Sequence, residues 1–471
     1  MKKRLILFIL CLALLASLLA GCNRMKQPAV NSDFSDKTIE SNGGLAVRYG
    51  KYIYYINGLS KQDADNTFGK VVKGAIARLE LGEDGKIKQD SITTIVPQIV
   101  FGTDKKGGLA IEGDYIYYST PSTEKNAQGI PKSEEMVLMR SRLDGSRSEV
   151  IKRFENFSST YKVTDGYIIY DIVNEDGDKE LRSIDLNSKK FNDKLLASKI
   201  TSLFYVSETQ GVSALRNYVF YTKANENENE YSNAVYVANG SGSVNMAVIQ
   251  KSSYTDLLHP DGYSISLVDA QISGTDTIKL IYDKTDRGAN TTSKGTYSYD
   301  FKVSENFAFS QAGETRYSNG ANYTKIKFLT SKYALASKSD KVEFLTVENN
   351  AVTSRQEVMA FVPEFYAFDI TAQAVETVYF KDSKFYNIKL FDIENGVYSL
   401  SLGTAALLYD KEVSTTWLAP EIIGDYLYFF NSSVIDNAYA LDLTKIEPRN
   451  DKSRTPMLIG IMTPEDEIAA F

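Results

Sequence analysis

The chain has 471 residues, with 53 Lys and Arg, 60 Asp and Glu, and a formal net charge of −7. Hydrophobic residues make up 43% and charged residues 24%, which is typical of a folded globular protein and not of a disordered one. One His and two Cys exclude a zinc site built from several His and Cys, a disulfide framework, and any catalytic series that needs spare histidines. The mild acidity argues against a protein that binds nucleic acid through its phosphates.

The first residues have the pattern of an export signal. Three basic residues at positions 2–4 precede an apolar run over positions 5–19, and small residues follow in the sequence Leu19-Ala20-Gly21-Cys22. A basic start, an apolar core and small residues before a cleavage point are typical of a secretory signal, and the run is short for a membrane span.

The sequence Leu19-Ala20-Gly21-Cys22 resembles the lipobox of bacterial lipoproteins. In that family the signal is cut before the cysteine, whose thiol carries a diacylglycerol and whose new amino group is usually acylated. The resemblance implies cleavage between Gly21 and Cys22, lipidation of Cys22, and anchoring outside the cytoplasm, at a bacterial cell surface or in a periplasm. Two or three acyl chains make such an anchor durable. A plain signal peptide with a chance cysteine, or an uncleaved anchor, is the alternative.

The predicted cleavage divides the chain into three parts. Removal of the signal peptide, residues 1–21, leaves 450 residues, whose 50 basic and 60 acidic side chains give a formal net charge of −10. Residues 22–40 are mostly polar and predict a lipidated, flexible tether. Residues 41–471 predict a single folded domain. Because this domain contains no cysteine, cysteine nucleophiles and disulfides are excluded from it.

One tyrosine-rich phrase recurs along the predicted domain. It first occurs at positions 50–55 (Gly-Lys-Tyr-Ile-Tyr-Tyr), with the leading tyrosine at position 52, and it returns with leading tyrosines at positions 115, 167, 218 and 426. The gaps are 63, 52, 51 and 208 residues, and the last is four times 52. This spacing predicts three degenerate copies near positions 270, 322 and 374, for which residues 277–282, 331–335 and 376–380 are the candidates. Self-similarity at a fixed period is typical of repeat architectures.

Each phrase predicts a β-strand, because Tyr, Ile, Val and Phe favour strands and the preceding Gly-Asp or Asp-Gly favours a turn. Apolar and polar residues do not alternate, so both faces of the strand are expected to be buried between stacked sheets. Units of this kind predict an all-β fold, a β-propeller with eight blades, or with seven if one degenerate copy is a long insertion. A β-sandwich array and a β-solenoid are the alternatives.

The phrase Gly-x-Tyr-Ile-Tyr-Tyr, followed by a leucine-rich strand and Asp-Gly, resembles the bacterial propellers that are likened to the low-density-lipoprotein-receptor-related propeller. The resemblance is good over residues 44–190, fair over 424–445 and poor between them. Its motif is structural, so it implies a fold and no activity.

Few residues suggest chemistry. His259 lies in a predicted turn, and residues 174–178 (Asn-Glu-Asp-Gly-Asp) depart from the spacing of an EF-hand, so a polar turn is expected there. Residues 225–230 predict a solvated acidic loop. The single Trp417 excludes the propellers that repeat a tryptophan in every blade. We therefore predict no catalytic residue, no metal ligand and no cofactor.

These observations favour a binding or scaffold module over an enzyme. Its predicted ligand is a protein, a peptide or a cell-envelope glycan. A polysaccharide hydrolase or lyase that uses Asp or Glu is one alternative, and an envelope assembly factor is another. Residues 57–73 and 119–135 are polar and follow the tyrosine-rich strand in the first two units. They are predicted to lie on one rim of the propeller and to contact the ligand.

The lipobox predicts that Cys22→Ser prevents acylation, because only the thiol can accept the diacylglycerol. We expect the variant to leave the membrane fraction or to keep its signal peptide. Membrane fractionation and the intact mass of the purified chain measure both effects. Unchanged fractionation together with an unchanged N-terminal mass would contradict the prediction.

Overall fold

The structure is a computed structural model that describes residues 24–60, 64–103, 106–129, 132, 135–155, 161–207, 214–224, 234–250, 263–286, 293–318, 322–409, 413–414, 418–431, 437–445 and 456–462. Gly21, Cys22, residues 225–230, His259 and Trp417 lie outside these ranges, so cleavage and lipidation at Gly21 and Cys22 stay predictions.

The described part of the chain is all-β, as predicted. Its helices are three short 3-10 turns, Ala214–Asn217, Gln311–Gly313 and Leu443–Lys445. None of the helices in the described ranges has the length and apolar character that crossing a membrane requires.

The strands follow in chain order. Up to residue 205 they are β1 (Arg24–Lys26), β2 (Ile39–Glu40), β3 (Ala46–Tyr49), β4 (Tyr52–Ile56), β5 (Ile76–Leu81), β6 (Ile87–Val96), β7 (Gly102–Thr103), β8 (Lys106–Gly107), β9 (Ala110–Glu112), β10 (Tyr115–Pro121), β11 (Met136–Arg142), β12 (Arg147–Phe154), β13 (Tyr161–Thr164), β14 (Tyr167–Val173), β15 (Lys179–Asp185), β16 (Asp193–Ala197) and β17 (Ile200–Tyr205). Beyond it they are β18 (Tyr218–Lys223), β19 (Val235–Asn239), β20 (Asn245–Ile249), β21 (Tyr263–Ile272), β22 (Thr277–Asp286), β23 (Ser293–Lys302), β24 (Thr315–Arg316), β25 (Lys325–Phe328), β26 (Tyr333–Ser337), β27 (Val342–Glu348), β28 (Ala351–Met359), β29 (Glu364–Ile370), β30 (Ala374–Lys381), β31 (Lys384–Glu394), β32 (Val397–Leu400), β33 (Ala406–Tyr409), β34 (Val413–Ser414), β35 (Glu421–Ile423), β36 (Tyr426–Asn431), β37 (Ala438–Asp442) and β38 (Met457–Leu458).

These strands form antiparallel sheets that succeed one another along the chain. The first sheet has the order β2-β3-β4-β5-β6, the second β1-β12-β11-β10-β9, the third β13-β14-β15-β16 and the fourth β17-β18-β19-β20. Strands β21 to β28 make one eight-stranded sheet, β29 to β33 the next and β34 to β38 the last, while β7 and β8 form a small ribbon.

The eight-stranded sheet decides the number of blades. It consists of two sets of four strands, β21–β24 and β25–β28, joined by one parallel pairing of Arg316 with Ala351. If the eight-stranded sheet is counted as one blade, the ring has seven blades. If it is counted as two, the ring has eight. The eight-blade count therefore stays a prediction, whereas the propeller fold itself follows from the stacked sheets.

When the N-terminal strands β1 and β2 and the two-residue strand β34 are left out, the recurring phrase forms the second strand of each blade. Its clear copies are β4, β10, β14, β18 and β36; the degenerate copies at 277–282 and 376–380 lie in β22 and β30, and residues 333–335 of the remaining copy lie in β26. All five residues of Tyr52–Ile56 are buried, as are Tyr118, Tyr170 and Tyr282. The predicted strands and their burial on both faces are confirmed.

Successive sheets pack face to face, and the first sheet also contacts the last. Tyr54 and Tyr55 are neighbours in β4, so their side chains point to opposite faces. The hydroxyl of Tyr54 donates to the carbonyl of Leu143 in the second sheet at 2.9 Å, and that of Tyr55 donates to the carbonyl of Ile459 in the last at 2.5 Å. One apolar cluster joins residues of all three sheets. The succession of sheets thus closes into a ring.

Antiparallel order gives the ring two unlike ends. Within each blade, one turn joins the first strand to the second and another joins the third strand to the fourth. These turns lie at one end of the ring, which we call the turn face. Connections between second and third strands, and passages from sheet to sheet, lie at the other end, the loop face. The described parts of residues 57–73 and 119–135 lie together on the loop face, which confirms that they share one rim.

The segment at residues 24–40, the N-terminal strap, corrects the prediction of a flexible tether at these positions. At its start β1 pairs with β12 as a fifth, outermost strand of the second sheet. At its end β2 pairs with β3 in the first sheet. Between them the backbone amide of Val30 donates to the carbonyl of Asp144, a residue of the β11–β12 turn, at 2.9 Å. The strap thus crosses the turn face from the outer edge of the ring to its centre.

Side chains of the first sheet hold the middle of the strap. Arg78 donates to the hydroxyl of Ser32 at 2.6 Å and to the carbonyl of Asn31 at 3.1 Å, and its guanidinium lies 4.1 Å from the ring centre of Tyr52. The ring of Phe34 meets Tyr52 edge-on, with centroids 5.9 Å apart. The sequence predicts a flexible segment here because the strap is polar and because the residues that hold it are distant in the chain.

Glu421 lies where the first and last sheets meet. Its carboxylate accepts a hydrogen bond from the backbone amide of Ala46 at 2.8 Å. Burial raises the pKa of Glu421 to about 7, against the lowering effect of hydrogen bonds from Ala46, Ser41 and Leu45. The folded ring therefore binds this proton more tightly than the unfolded chain does.

Protonation of Glu421 should stabilise the ring. This contribution is fully present below the ordinary pKa of a glutamate and is lost as the pH rises through about 7. We expect the free energy of unfolding of Glu421→Gln, measured by urea denaturation from about pH 5 to pH 9, to decline less with pH than that of the wild type. Glu83→Gln, at an exposed turn, controls for the loss of one charge. Parallel curves for the wild type and Glu421→Gln would contradict the prediction.

Candidate functional site

A channel lies at the centre of the ring, and turns of the turn face contribute to its wall. Its volume is about 2280 Å³. The first strands of most sheets and the turns that follow them form its wall, together with residues 38–43 at the end of the strap. Pockets for small molecules usually measure roughly 300–1,000 Å³. The channel therefore has room for a segment of a polymer.

Two lysines of β25 line the channel side by side. Lys325 and Lys327 are two residues apart in a strand, so their side chains leave the same face, about 7 Å apart along it. Lys325 is exposed and Lys327 is half-buried. Within the described residues no carboxylate lies at ion-pair distance from either ammonium group. The channel thus presents a pair of unneutralised cations.

The nearest opposing charge, Asp269 of β21, has other hydrogen-bond partners. It accepts from the backbone amide of Ala270 at 2.8 Å and from the side-chain amide of Gln271. Gln271 also donates to the carbonyl of Ile326 at 2.9 Å, which ties β21 to β25. Burial lowers the pKa of Lys327, the Lys325 ammonium lowers it further, and Asp269 opposes them. Ligand anions would relieve this desolvated charge.

Aromatic rings adjoin the lysine pair. Phe328 follows Lys327 and packs edge-on against Tyr317, with centroids 6.1 Å apart. The ammonium of Lys279 lies 5.0 Å from the ring centre of Phe328 and forms an ion pair with Asp300 at 2.8 Å. On the next sheet, Phe365, Tyr366 and Phe368 of β29 also line the channel. This wall combines apolar faces with fixed charges.

One pair of carboxylates faces the channel. Asp369 of β29 and Glu376 of β30 are direct cross-strand partners, and both are exposed. The side-chain amide of Asn387 donates to Glu376 at 3.3 Å. Among the residues that the structure describes, no three His, Cys, Asp or Glu side chains are grouped to hold a metal ion.

The described parts of the predicted contact segments, residues 57–73 and 119–135, do not line the channel. Asn66, in the first of them, is buried and donates to the hydroxyl of Thr120 at 2.8 Å and to the carbonyl of Pro121 at 2.9 Å. It therefore fastens the connection of the first sheet to β10 in the second.

At residues 174–178 the Asn174 side chain accepts from the backbone amide of Asp178 at 2.9 Å, which confirms the predicted polar turn.

Sequence reasoning missed the channel lysines. A lysine in a strand ordinarily indicates a solvent-exposed face of the sheet. The channel, in addition, is lined by first strands that are far apart in sequence. The alternation Lys325-Ile326-Lys327 was the available signal, because a polar and apolar alternation distinguishes this first strand from the fully buried second strands.

Solved structures that resemble this chain are β-propellers of low sequence identity. The β-propeller domain of the Trilobed protease from Pyrococcus furiosus is 10% identical, with a TM-score of 0.35 over 72% of this chain and 95% of that one. BamB from Moraxella catarrhalis is 9% identical, with a TM-score of 0.38 over 88% and 97%. A prolyl endopeptidase is 11% identical, with a TM-score of 0.42 over 76% of this chain and 50% of that one, so this chain spans half its length.

These likenesses concern the fold alone, because one propeller fold serves many functions. No protein-family model matches the sequence. No curated protein matches it either. The predicted resemblance to the low-density-lipoprotein-receptor-related propellers therefore stays a prediction.

The lowered pKa of Lys327 predicts an amine that reacts at lower pH than an ordinary lysine. Lys302, which also lines the channel, is the internal control, because its hydrogen bond and ion pair with Glu305 at 2.7 Å raise its pKa. We expect acylation, followed by peptide mass spectrometry across a pH series, to reach its half-maximal rate at lower pH for Lys327 than for Lys302. The reverse order would contradict the assigned environment.

Proposed function

We propose that this protein is a lipid-anchored, extracytoplasmic β-propeller that binds an acidic glycan of the bacterial cell envelope in its channel. It is a binding module and not an enzyme. The observation that carries the proposal is the pair Lys325 and Lys327, whose ammonium groups face the channel without a described counter-ion. The resemblance of Leu19-Ala20-Gly21-Cys22 to a lipobox supports the location at a cell surface or in a periplasm.

The shape of the site favours a chain over a small anion. A channel of about 2280 Å³ exceeds the volume of a small-molecule pocket. Two amines about 7 Å apart along one strand suit a ligand whose negative charges repeat along its length. Rings such as Phe328 and Phe365 offer apolar surface to the faces of sugar rings. An acidic polysaccharide has both features.

A specific observation favours one alternative, a polysaccharide hydrolase or lyase. Asp369 and Glu376 are cross-strand partners at the channel wall, and such partners have Cβ atoms about 4.5–5.5 Å apart. Glycosidases also use two carboxylates that lie near each other, although the distance that matters there is the one between the carboxyl groups. Both side chains are exposed, however, whereas a general acid is usually kept protonated by burial. The binding function therefore comes first.

Binding can be measured on the purified full chain by affinity electrophoresis in gels that contain polygalacturonate or its methyl ester. The two polymers share a backbone and differ in charge. We expect polygalacturonate alone to retard the wild type, and the double variant Lys325→Gln and Lys327→Gln to lose affinity about tenfold or more, since two charge-assisted contacts are removed.

The matched control is the double variant Lys189→Gln and Lys190→Gln, which makes the same charge change at two exposed lysines outside the channel. It should bind as the wild type does. Equal losses in both double variants would contradict a channel site. Cleavage of the polymer that Asp369→Asn abolishes would replace the binding function by the hydrolase or lyase.

A further inference from the structure

The wall of the channel is divided by charge. Its basic side chains all come from the third, fourth and eight-stranded sheets, which we call the basic arc, and they are Lys162, Arg216, Lys279, Lys302, Lys325 and Lys327. The same arc contributes two carboxylates to the wall, Asp269 and Asp300. Asp300 is paired with Lys279 at 2.8 Å, so positive charge prevails on this side of the channel.

The remaining part of the wall has the opposite charge. The sheet of β29 to β33, the last sheet and the first sheet follow one another around the ring, and we call them the acidic arc. Of the described residues of this arc that line the channel, none is Lys or Arg, and four are acidic, namely Glu40, Asp369, Glu376 and Asp425. The second sheet separates the two arcs on one side, where its described residues contribute only Ala110 to the wall.

Three carboxylates of the acidic arc have no basic partner in the described parts of the chain. Glu40 is paired with Arg48 at 3.2 Å, whereas Asp369, Glu376 and Asp425 are exposed and have no Lys or Arg at ion-pair distance there. Asp369 and Glu376 are direct cross-strand partners. Like charges directly opposite each other destabilise a sheet. A cation bound between these two carboxylates would relieve their repulsion.

The unpaired charges of the two arcs lie at one level of the channel. Lys327 belongs to the second residue pair before the β25–β26 turn, since Phe328 and Ala334 form the last pair. Asp369 belongs to the second pair before the β29–β30 turn, since Ile370 forms the last one. Because β25 and β29 begin successive sets of strands, Lys327 and Asp369 have about the same depth below the turn face. A polymer in the channel would meet both charges together.

We propose that the polymer bound in the channel is zwitterionic and carries ammonium groups as well as acidic groups. This inference rests on the proposed function and narrows its ligand. Lys325 and Lys327 contact the acidic groups, and Asp369 and Glu376 contact the ammonium groups. The acidic arc repels a polymer that is only anionic, and the basic arc repels one that is only cationic. An acidic glycan with free amino groups fits both arcs.

Two modified forms of polygalacturonate test the inference. In one, about half of the carboxylates are converted to amides of ethylenediamine, which adds ammonium groups. In the other, the same fraction is converted to amides of ethanolamine, which adds neutral hydroxyl groups. Fluorescence anisotropy of labelled oligomers measures their binding to the purified full chain. We expect the ammonium form to bind the wild type about fivefold more tightly, because exposed ion pairs are individually weak.

The double variant Asp369→Asn and Glu376→Gln should lose this preference, so that the ratio of the two affinities falls to about one. The matched control is Glu175→Gln with Asp176→Asn, which makes the same charge change at an exposed turn outside the channel. It should keep the preference. Circular dichroism checks that each variant is folded.

The outcomes separate this inference from the proposed function. If neither modified form nor polygalacturonate itself binds, the proposed function fails, and the inference fails with it. If all three bind equally and the double variant Lys325→Gln and Lys327→Gln weakens them all, the binding function stands and the zwitterionic ligand is overturned. A preference for the ammonium form that the Asp369 and Glu376 double variant retains would overturn the assignment of these carboxylates.

Discussion

Burial of both faces of every sheet is the constraint on which this structure depends. The second strands are apolar on both sides, as the opposite contacts of Tyr54 and Tyr55 show. Full burial of one large apolar side chain contributes about 1.5–3 kcal/mol, so an uncovered sheet face would forfeit several such contributions. Every sheet therefore needs a neighbouring sheet on each face, so the last sheet of the chain must pack against the first.

Polar contacts help to cover the sheets in two places. One is the strap, and the other is the junction of the first and last sheets. The strap covers the outer edge of the second sheet and the rings of Tyr49 and Tyr52 on the turn face. Glu421 joins the last sheet to the backbone of Ala46. Because the ring supplies rigidity, the channel wall can hold Lys325 and Lys327 without an ion-pair partner among the described residues. Closure of the ring and placement of the channel lysines thus share one scaffold.

The sequence predicted the fold through local signals, and it missed the site because the site is not local. Strand residues and turn residues repeat in every unit, so spacing together with strand-forming residues predicts the second strands, including the degenerate copies. The channel depends on which first strands meet across the ring, and no local pattern encodes that meeting. The strap was missed for the same reason, since Ser32 and Asn31 bind Arg78, a residue more than forty positions away.

The contact of Tyr55 with Ile459 also has a consequence for the order of folding. These residues are 404 positions apart, and the side chain of Asn57 reaches Ile461 over the same separation. In a chain that crosses a membrane from its N-terminus, the first sheet emerges long before the strands that cover its second face. It must wait with that face exposed, and long-range pairings form slowly. A chain exported in this way would need protection from aggregation until its last residues arrive.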